Sequence, residues 1–352
     1  MHGLVLEGVG RVVHRTDLPD PAVIAATDAV VAVRRAGLCG SDLHPYEGRE
    51  AVRFGVVCGH EAVGEIVATG AEVAGVGVGE RVVVPFTTSC GACGPCLRGL
   101  TARCVRGELF GFGPADDPTA RALPGCQAQY VRVPLADSTV VRVPDDIDDD
   151  AAVLLTDNLP TAWCAVERTG LVAGEPLAVV GLGAVGLCAV TVAIAMGAGP
   201  VLAVDPVAER RDAGVRLGAV AASPDDAGTA VAELTHGDGA PAVVEAAGTA
   251  AAQRLACRLI RPGGTLSVIA VQTADAFGFT PVVAYDANLT VRFGRASVRA
   301  ALDRIQPLTA SLLSALGEVL IGGPALALAD GPDAYVRFAR RDRGALKVVF
   351  AP

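Results

Sequence analysis

The 352-residue chain is predicted to be an α/β protein of two domains, a β-rich domain and a doubly wound parallel-sheet domain inserted within it. Three observations carry that reading. From Gly3 to about Val143 the sequence is Val-rich and broken by Gly and Pro at short intervals, the rhythm of short strands. Between about Ala178 and Phe293, strand-like and helix-like stretches alternate, which argues for parallel strands joined by crossover helices. After Gly294 the chain returns to helix and strand fragments that end in Leu346-Lys347-Val348-Val349-Phe350. The expected boundaries are residues 1–158 and 293–352 for the β-rich domain and 159–292 for the insert.

The elements follow in order. Met1 to Glu7 lacks a basic, apolar leader and reads as a first strand, so the protein is expected in the cytoplasm. Val63 to Val67 and Arg81 to Val84, the latter closed by Pro85, are further strands of the first domain. In the insert the strands are Val179-Val180, Val201 to Val204, Val243-Val244 and Leu266 to Ile269. The helices between them are Val185 to Met196, Ala208 to Leu217 and Ala250 to Ile260. Pro176 to Val204 carries no charge and exceeds the roughly 20 apolar residues that span a bilayer. Its glycines at 181, 183, 186, 197 and 199 divide it instead into strand, turn, helix and strand, a unit that is apolar throughout because both faces are covered. No membrane partner is expected.

Composition narrows the chemistry. With 29 basic and 38 acidic residues the net charge is -9, which opposes a nucleic-acid partner. Lys347 is the only lysine, leaving little room for Schiff-base catalysis. The ten cysteines cluster locally in a chain long enough to bury a large core, a pattern of metal ligands more than of disulfides.

After the Leu177 to Val180 strand comes Gly181-Leu182-Gly183-Ala184-Val185-Gly186, a G-x-G-x-x-G that opens a helix. Its glycines allow a tight turn, close approach of backbone to a pyrophosphate, and close packing of helix on strand, while the helix N-terminus offers free N–H groups. The next strand ends in Asp205, where a carboxylate accepts hydrogen bonds from the adenosine ribose and repels a 2′-phosphate. The expected cofactor is therefore NAD. Arg210 is either a contact to the ribose or adenine rim or a solvated surface arginine.

Cys90, Cys93 and Cys96 followed by Cys104 give C-x2-C-x2-C-x7-C. Four soft sulfurs on one short lobe suit a closed tetrahedral zinc; an iron–sulfur cluster and a redox pair are the competing readings.

Two further motifs, Cys39-Gly40-Ser41-Asp42-Leu43-His44 and Gly59-His60-Glu61, complete a series. Taken in order with the four-cysteine lobe and the glycine turn, they make the chain resemble the zinc-dependent medium-chain alcohol dehydrogenases over essentially its whole length. The resemblance implies a GroES-like catalytic domain and a Rossmann domain, two zinc ions per subunit, NAD, a small-molecule alcohol or carbonyl substrate, and a homodimer or homotetramer. It implies Cys39, His60 and Asp157 as ligands of the catalytic zinc, the last in Leu155-Thr156-Asp157-Asn158, where some members carry cysteine and others aspartate. Glu61 becomes an alternative ligand or a nearby charge. Ser41 and His44 match the family's proton relay, and Asp42 a structural hydrogen-bonding residue. Thr161 and Val185 match positions beside the nicotinamide, Phe86 an aromatic of the substrate pocket, and Lys347 a basic position near the cofactor phosphates. Tyr46, Leu109, Phe110 and Trp163 are expected around the substrate. Gly40 departs from members that have a basic residue there.

The activity implied is reversible alcohol-to-carbonyl oxidoreduction on a secondary alcohol, polyol, cyclitol or aldehyde. The alternatives are a family-like enzyme reducing an imine or conjugated double bond, and, from another class, a zinc-stabilised binding module that the acidic charge disfavours. His2, His14 and His236 are expected outside any ligand set, and Cys58, Cys126, Cys164, Cys188 and Cys257 as small buried groups.

Overall fold

The computed structural model describes residues 1–112, 123–273, 276–341 and 346–352. The chain forms two compact units: Met1–Asp157 with Ser297–Pro307 and Ile321–Pro352, and Asn158–Ala296 with Leu308–Leu320.

In the first unit, the ten-residue strand Ala29–Leu38 is the hub. Ala62–Thr69 and Tyr130–Val133 pair with it antiparallel, as does the last strand of the chain, Val348–Ala351. With Arg81–Val84, Val141–Arg142 and Leu326–Ala327 they make a seven-stranded sheet. A smaller sheet pairs Gly3–Gly8 with Arg11–Arg15 and Val56–Val57. Inward residues of the hub strand, Val31, Val33, Ala36 and Leu38, pack with Ile66, Val82, Val84, Val131 and Phe350 in one apolar core. Fully burying a side chain of this size contributes roughly 1.5–3 kcal/mol, so the sheet's central strands are its firmest part.

The second unit is a six-stranded, all-parallel sheet in the order Val220–Ala222, Val201–Val204, Leu177–Val180, Ala240–Glu245, Ile260–Val268, Thr290–Phe293. The strands after Leu177–Val180 run first to one side and then to the other, so its carboxyl end stands at the switch of direction, where open α/β sheets bind ligands. The two units are the β-rich domain and the doubly wound parallel-sheet domain that the sequence pattern predicts, the GroES-like and Rossmann domains that the resemblance implies.

Pro176 to Val204 divides into strand Leu177–Val180, helix Ala184–Ala195 and strand Val201–Val204. The helix is apolar on every side because the sheet, helix Asn158–Thr169 and helix Thr309–Leu320 all pack on it. Among the described residues no helix is long and apolar enough to cross a membrane.

One difference from expectation concerns Thr309–Leu320. The 293–352 segment is not all of one unit, because this helix buries Leu312, Leu313, Leu316, Val319 and Leu320 and packs on Ala184–Ala195. The spacing is that of a helix with one apolar face, but nothing local indicates which core receives it.

Candidate metal centres and dinucleotide site

Sheet register assembles the first cluster. The hub strand leads into Cys39, while His60 and Glu61 lead into Ala62–Thr69, which pairs Ala62 with Ala36. The Gly37 N–H donates to the Glu61 carbonyl at 3.1 Å. Asp157 arrives from the turn after the 3-10 segment Val153–Leu155. Cys39, His60, Glu61 and Asp157 are all buried, with one ligand atom from each within 4.8 Å of the others. Cys39 Sγ lies 3.3 Å from Asp157 Oδ2, and His60 Nε2 lies 3.5 Å from the same oxygen. Ligands at zinc's bond lengths stand roughly 3.3–3.8 Å apart around a tetrahedron, so this donor set fits zinc in both chemistry and spacing.

Asp42 holds two of these donors. Its Oδ2 accepts from the Cys39 N–H at 2.9 Å, and its Oδ1 stands 3.0 Å from His60 Nδ1. That leaves Nε2 of the imidazole for the metal, the carboxylate–histidine arrangement that orients a ligand. The hydrogen bond that Asp42 makes here is to the Cys39 N–H, and its contact with His60 is one of charge. Burial works against charge on His60, but Asp42 and Asp157 outweigh it and raise the pKa well above the usual value. Burial and then Asp157 push the Cys39 thiol up. Both donors therefore hold protons that a cation must displace.

Ser41 Oγ lies 3.3 Å from His60 Nε2. His44, in the short helix Leu43–Tyr46, has a buried Nδ1 with no hydrogen-bond partner among the described residues. Burial, then Arg49, lower its pKa. The His60 ring is flanked by Phe86, at a centroid distance of 6.1 Å, and by Phe112 at 5.7 Å. Sequence reading found Phe86 and missed Phe112, which lies in no motif.

Three expectations are corrected. Tyr46 and Phe110 belong to the apolar core, where Tyr46 packs on Tyr335 with ring centroids 5.4 Å apart. Lys347 is not an exposed cation: its Nζ is paired with Glu61 Oε2 and the side chain is buried. The register that sets Val348 against Leu38 brings it there. Cys257 is half-buried, whereas Cys58, Cys126, Cys164 and Cys188 are buried as expected. His2 and His236 are exposed and His14 half-buried. Leu109 is half-buried, and Trp163 is buried within Asn158–Thr169.

The second cluster gathers Cys90, Cys93, Cys96 and Cys104, again within 4.8 Å of one another. Cys93 and Cys104 Sγ are 3.9 Å apart, close to the roughly 3.8 Å that two thiolates span on one zinc. The lobe directs backbone donors at sulfur: the Cys90 and Arg106 N–H groups lie 3.2 and 3.4 Å from Cys104 Sγ. The N–H groups of Cys96 and Val105 bring Cys93 down to about 6, while burial raises Cys96 to about 12.

In the second unit the glycine motif has the geometry its spacing implies. Gly181 has φ +94°, and a Cβ there would meet Ala247 at 2.7 Å; a Cβ on Gly186 would meet the Gly181 carbonyl at 1.8 Å. Around Gly183 there is open space, as close approach of a ligand requires. Val185 is half-buried on the first turn of the helix, and Thr161 is buried in Asn158–Thr169. Asp205 accepts from the Leu182 N–H at 2.8 Å and the Val207 N–H at 2.9 Å, so it braces the glycine turn directly. Arg210 Nη1 is 3.8 Å from Asp205 Oδ2, beside the acid and partly buried.

Residues 25–145 match the family model of the alcohol dehydrogenase GroES-like domain, and residues 184–306 that of the zinc-binding dehydrogenases. The chain is 40% identical over 311 residues to a protein of Mycobacterium tuberculosis named probable zinc-binding alcohol dehydrogenase, covering 88% of this chain and 79% of that one. It is similar in structure to the alcohol dehydrogenase TADH from Thermus sp. ATN1, with TM-score 0.91, 34% identity and 100% and 99% of the two chains covered. A zinc-binding dehydrogenase of Sinorhizobium meliloti, solved with NADP bound, superposes with TM-score 0.80 at 26% identity over 100% and 99% of the chains.

Proposed function

The chain belongs to the zinc-dependent medium-chain dehydrogenase/reductase family and is an oxidoreductase, and from that premise we propose that it transfers hydride between NAD and an alcohol/carbonyl pair. The observation that carries the proposal is the buried set Cys39, His60, Asp157 and Glu61, which fits a catalytic zinc. The metal, when bound, polarises a carbonyl or favours loss of an alcohol's proton near neutral pH. The chain's own residues do the rest. Asp42 fixes the His60 tautomer, and the Phe86 and Phe112 rings exclude water beside it. Ser41 stands at the metal-facing nitrogen of His60, poised to take the substrate proton toward His44, whose neutral imidazole accepts it. The four-cysteine lobe takes a second, structural zinc.

In the other unit, Gly181, Gly183 and Gly186 receive the pyrophosphate, with Thr161 and Val185 toward the nicotinamide. Asp205 supports NAD over NADP, since a buried carboxylate beside a 2′-phosphate repels it. The apolar flank of His60 supports a substrate with an apolar group next to its carbinol. An intact metal-donor set argues against metal-free reduction of a conjugated double bond.

The test is nicotinamide absorbance of the zinc-replete protein with NAD or NADP across secondary alcohols, polyols, cyclitols and aldehydes. Turnover with NAD that vanishes on chelation and returns with zinc is expected; turnover indifferent to zinc overturns the proposal.

A further inference from the structure

Gln127 is a fully buried amide on a stretch that runs alongside the chain leading into His60. The Cys126 N–H donates to the Gly59 carbonyl at 3.0 Å, and the Gln127 N–H to the Cys58 carbonyl at 2.9 Å. A buried amide is costly unless its ends are paired, and both ends are paired here. Nε2 donates to the Gly37 carbonyl at 2.9 Å, and Oε1 accepts from the Tyr335 hydroxyl at 2.9 Å. A carbonyl can only accept, which fixes the orientation of the amide and makes the phenol the donor. Tyr335 is itself buried, in helix Gly331–Ala339.

The amide meets both segments that bear metal donors. Gly37 lies two residues before Cys39 and also donates its N–H to the Glu61 carbonyl at 3.1 Å. Gly59, directly before His60, has φ +84°, and a Cβ there would meet Gln127 Cγ at 2.5 Å and Nε2 at 2.9 Å. Only glycine lets the chain rest on the amide at that point. Asp42 joins Cys39 and His60 from one side, and Gln127 joins the backbones that carry them from the core. We propose that Gln127, held by Tyr335, is a positioning residue of the metal site, setting the Cys39 and His60 backbones at the separation the metal requires. This rests on the reading of Cys39, His60 and Asp157 as the catalytic metal's ligands. An apolar side chain of the same length fills the same space but removes the donor to the Gly37 carbonyl and the planar support under Gly59. Binding the metal must then supply the ordering that the amide provides in advance.

The experiment loads cobalt(II) into the full chain and follows its absorption while a chelator competes for it. Bands that Cys39→Ser removes belong to the cluster of Cys39 and His60, and the remainder to the four-cysteine lobe. In Gln127→Met the cluster's cobalt affinity is expected to fall about tenfold or more, the size of a strong outer-shell effect, with the lobe's affinity unchanged. Tyr335→Phe, which removes one hydroxyl and keeps the ring in the core, is expected to weaken the cluster with the same selectivity and by a smaller factor. Unchanged cluster affinity in Gln127→Met overturns the proposal. So does an equal fall at both sites, which a merely structural role would give because both lie in one unit. If Gln127→Met does not fold, Tyr335→Phe decides alone, and unchanged cluster affinity with unchanged d–d bands overturns the proposal. If Cys39→Ser removes no band, the ligand reading has failed and the proposal falls with it.

Discussion

Each ligand-shell residue makes a separate demand on the chemistry. Asp157 Oδ2 stands within 3.5 Å of both Cys39 Sγ and His60 Nε2. Asp157→Ala is expected to lower zinc from two ions per chain to one and kcat/KM by more than roughly 100-fold, beyond the range of outer-shell changes; metal analysis with steady-state rates checks it, and unchanged zinc content removes Asp157 from the site. His44 is expected to limit activity on the acid side. Its pKa is depressed by burial and Arg49, so the folded ring stays neutral to below the ordinary value of about 6.5. Activity that needs it as a proton acceptor falls as pH drops through that lowered value. The stability linked to it runs the same way, being present above about 6.5 and lost on acidification. His44→Gln should remove the acid limb from the pH–rate profile, and a limb that survives assigns the titration elsewhere. Asp205→Gly should weaken NAD about tenfold or more, from loss of a charged hydrogen-bond acceptor, with NADP weakened less; equal losses would place recognition of the 2′ position elsewhere. These residues could be named from the sequence because each lies in or beside a short motif or at a position the resemblance marks. Phe112 and the Glu61–Lys347 pair were not, because Phe112 meets His60 from about fifty residues on in no motif, and Glu61 and Lys347 meet through strands far apart in sequence.

Elements decide which thiols are reactive. In the four-cysteine lobe, helix Gly94–Leu97 turns the Cys96 N–H toward Cys93, so backbone donors favour thiolate there while burial disfavours it at Cys96. With Cys93 near 6 and Cys96 near 12, the zinc-free lobe at pH 7 is expected to react with iodoacetamide first at Cys93. Zinc should protect all four cysteines. Peptide mass spectrometry reads this directly, and uniform labelling of the zinc-loaded lobe would show that no metal holds it. The spacing of these cysteines made the lobe legible, as the glycine turn made Leu177–Val180 and Ala184–Ala195 legible. Thr309–Leu320 shows the limit of such reading. Its apolar face is plain from sequence, but the partner of that face is set by a helix more than a hundred residues earlier. Tyr46 and Phe110 mark the same limit from the other direction: aromatics near ligand motifs suggest a pocket, while the strands around them close into core.

At the scale of the molecule, the proposed function assigns metal to one unit and dinucleotide to the other, and this would separate their responses. Cys39, His60, Glu61, Asp157 and the four-cysteine lobe all lie in the unit that begins at Met1, whereas the glycine turn and Asp205 lie in the unit that begins at Asn158. A ligand that binds only the folded form stabilises it by about 2.7 kcal/mol at a hundredfold excess over its dissociation constant. For a unit of about 150 residues, that raises the unfolding temperature by roughly 5–10 °C. NAD at that excess should therefore protect amides of the parallel sheet, Leu177–Val180 and Ala240–Glu245 foremost. Chelation should expose amides of Ala29–Leu38 and Ala62–Thr69 near their ligand-bearing ends, while leaving the parallel sheet protected. Because His60 and Cys39 hold protons that the metal displaces, zinc affinity falls as pH falls, and the chelator concentration needed for that exposure should fall with it. Hydrogen exchange followed by mass spectrometry resolves both responses on the same peptides. If NAD protects only the ligand-bearing strands, or chelation loosens the parallel sheet first, the division of metal and dinucleotide between the units is wrong.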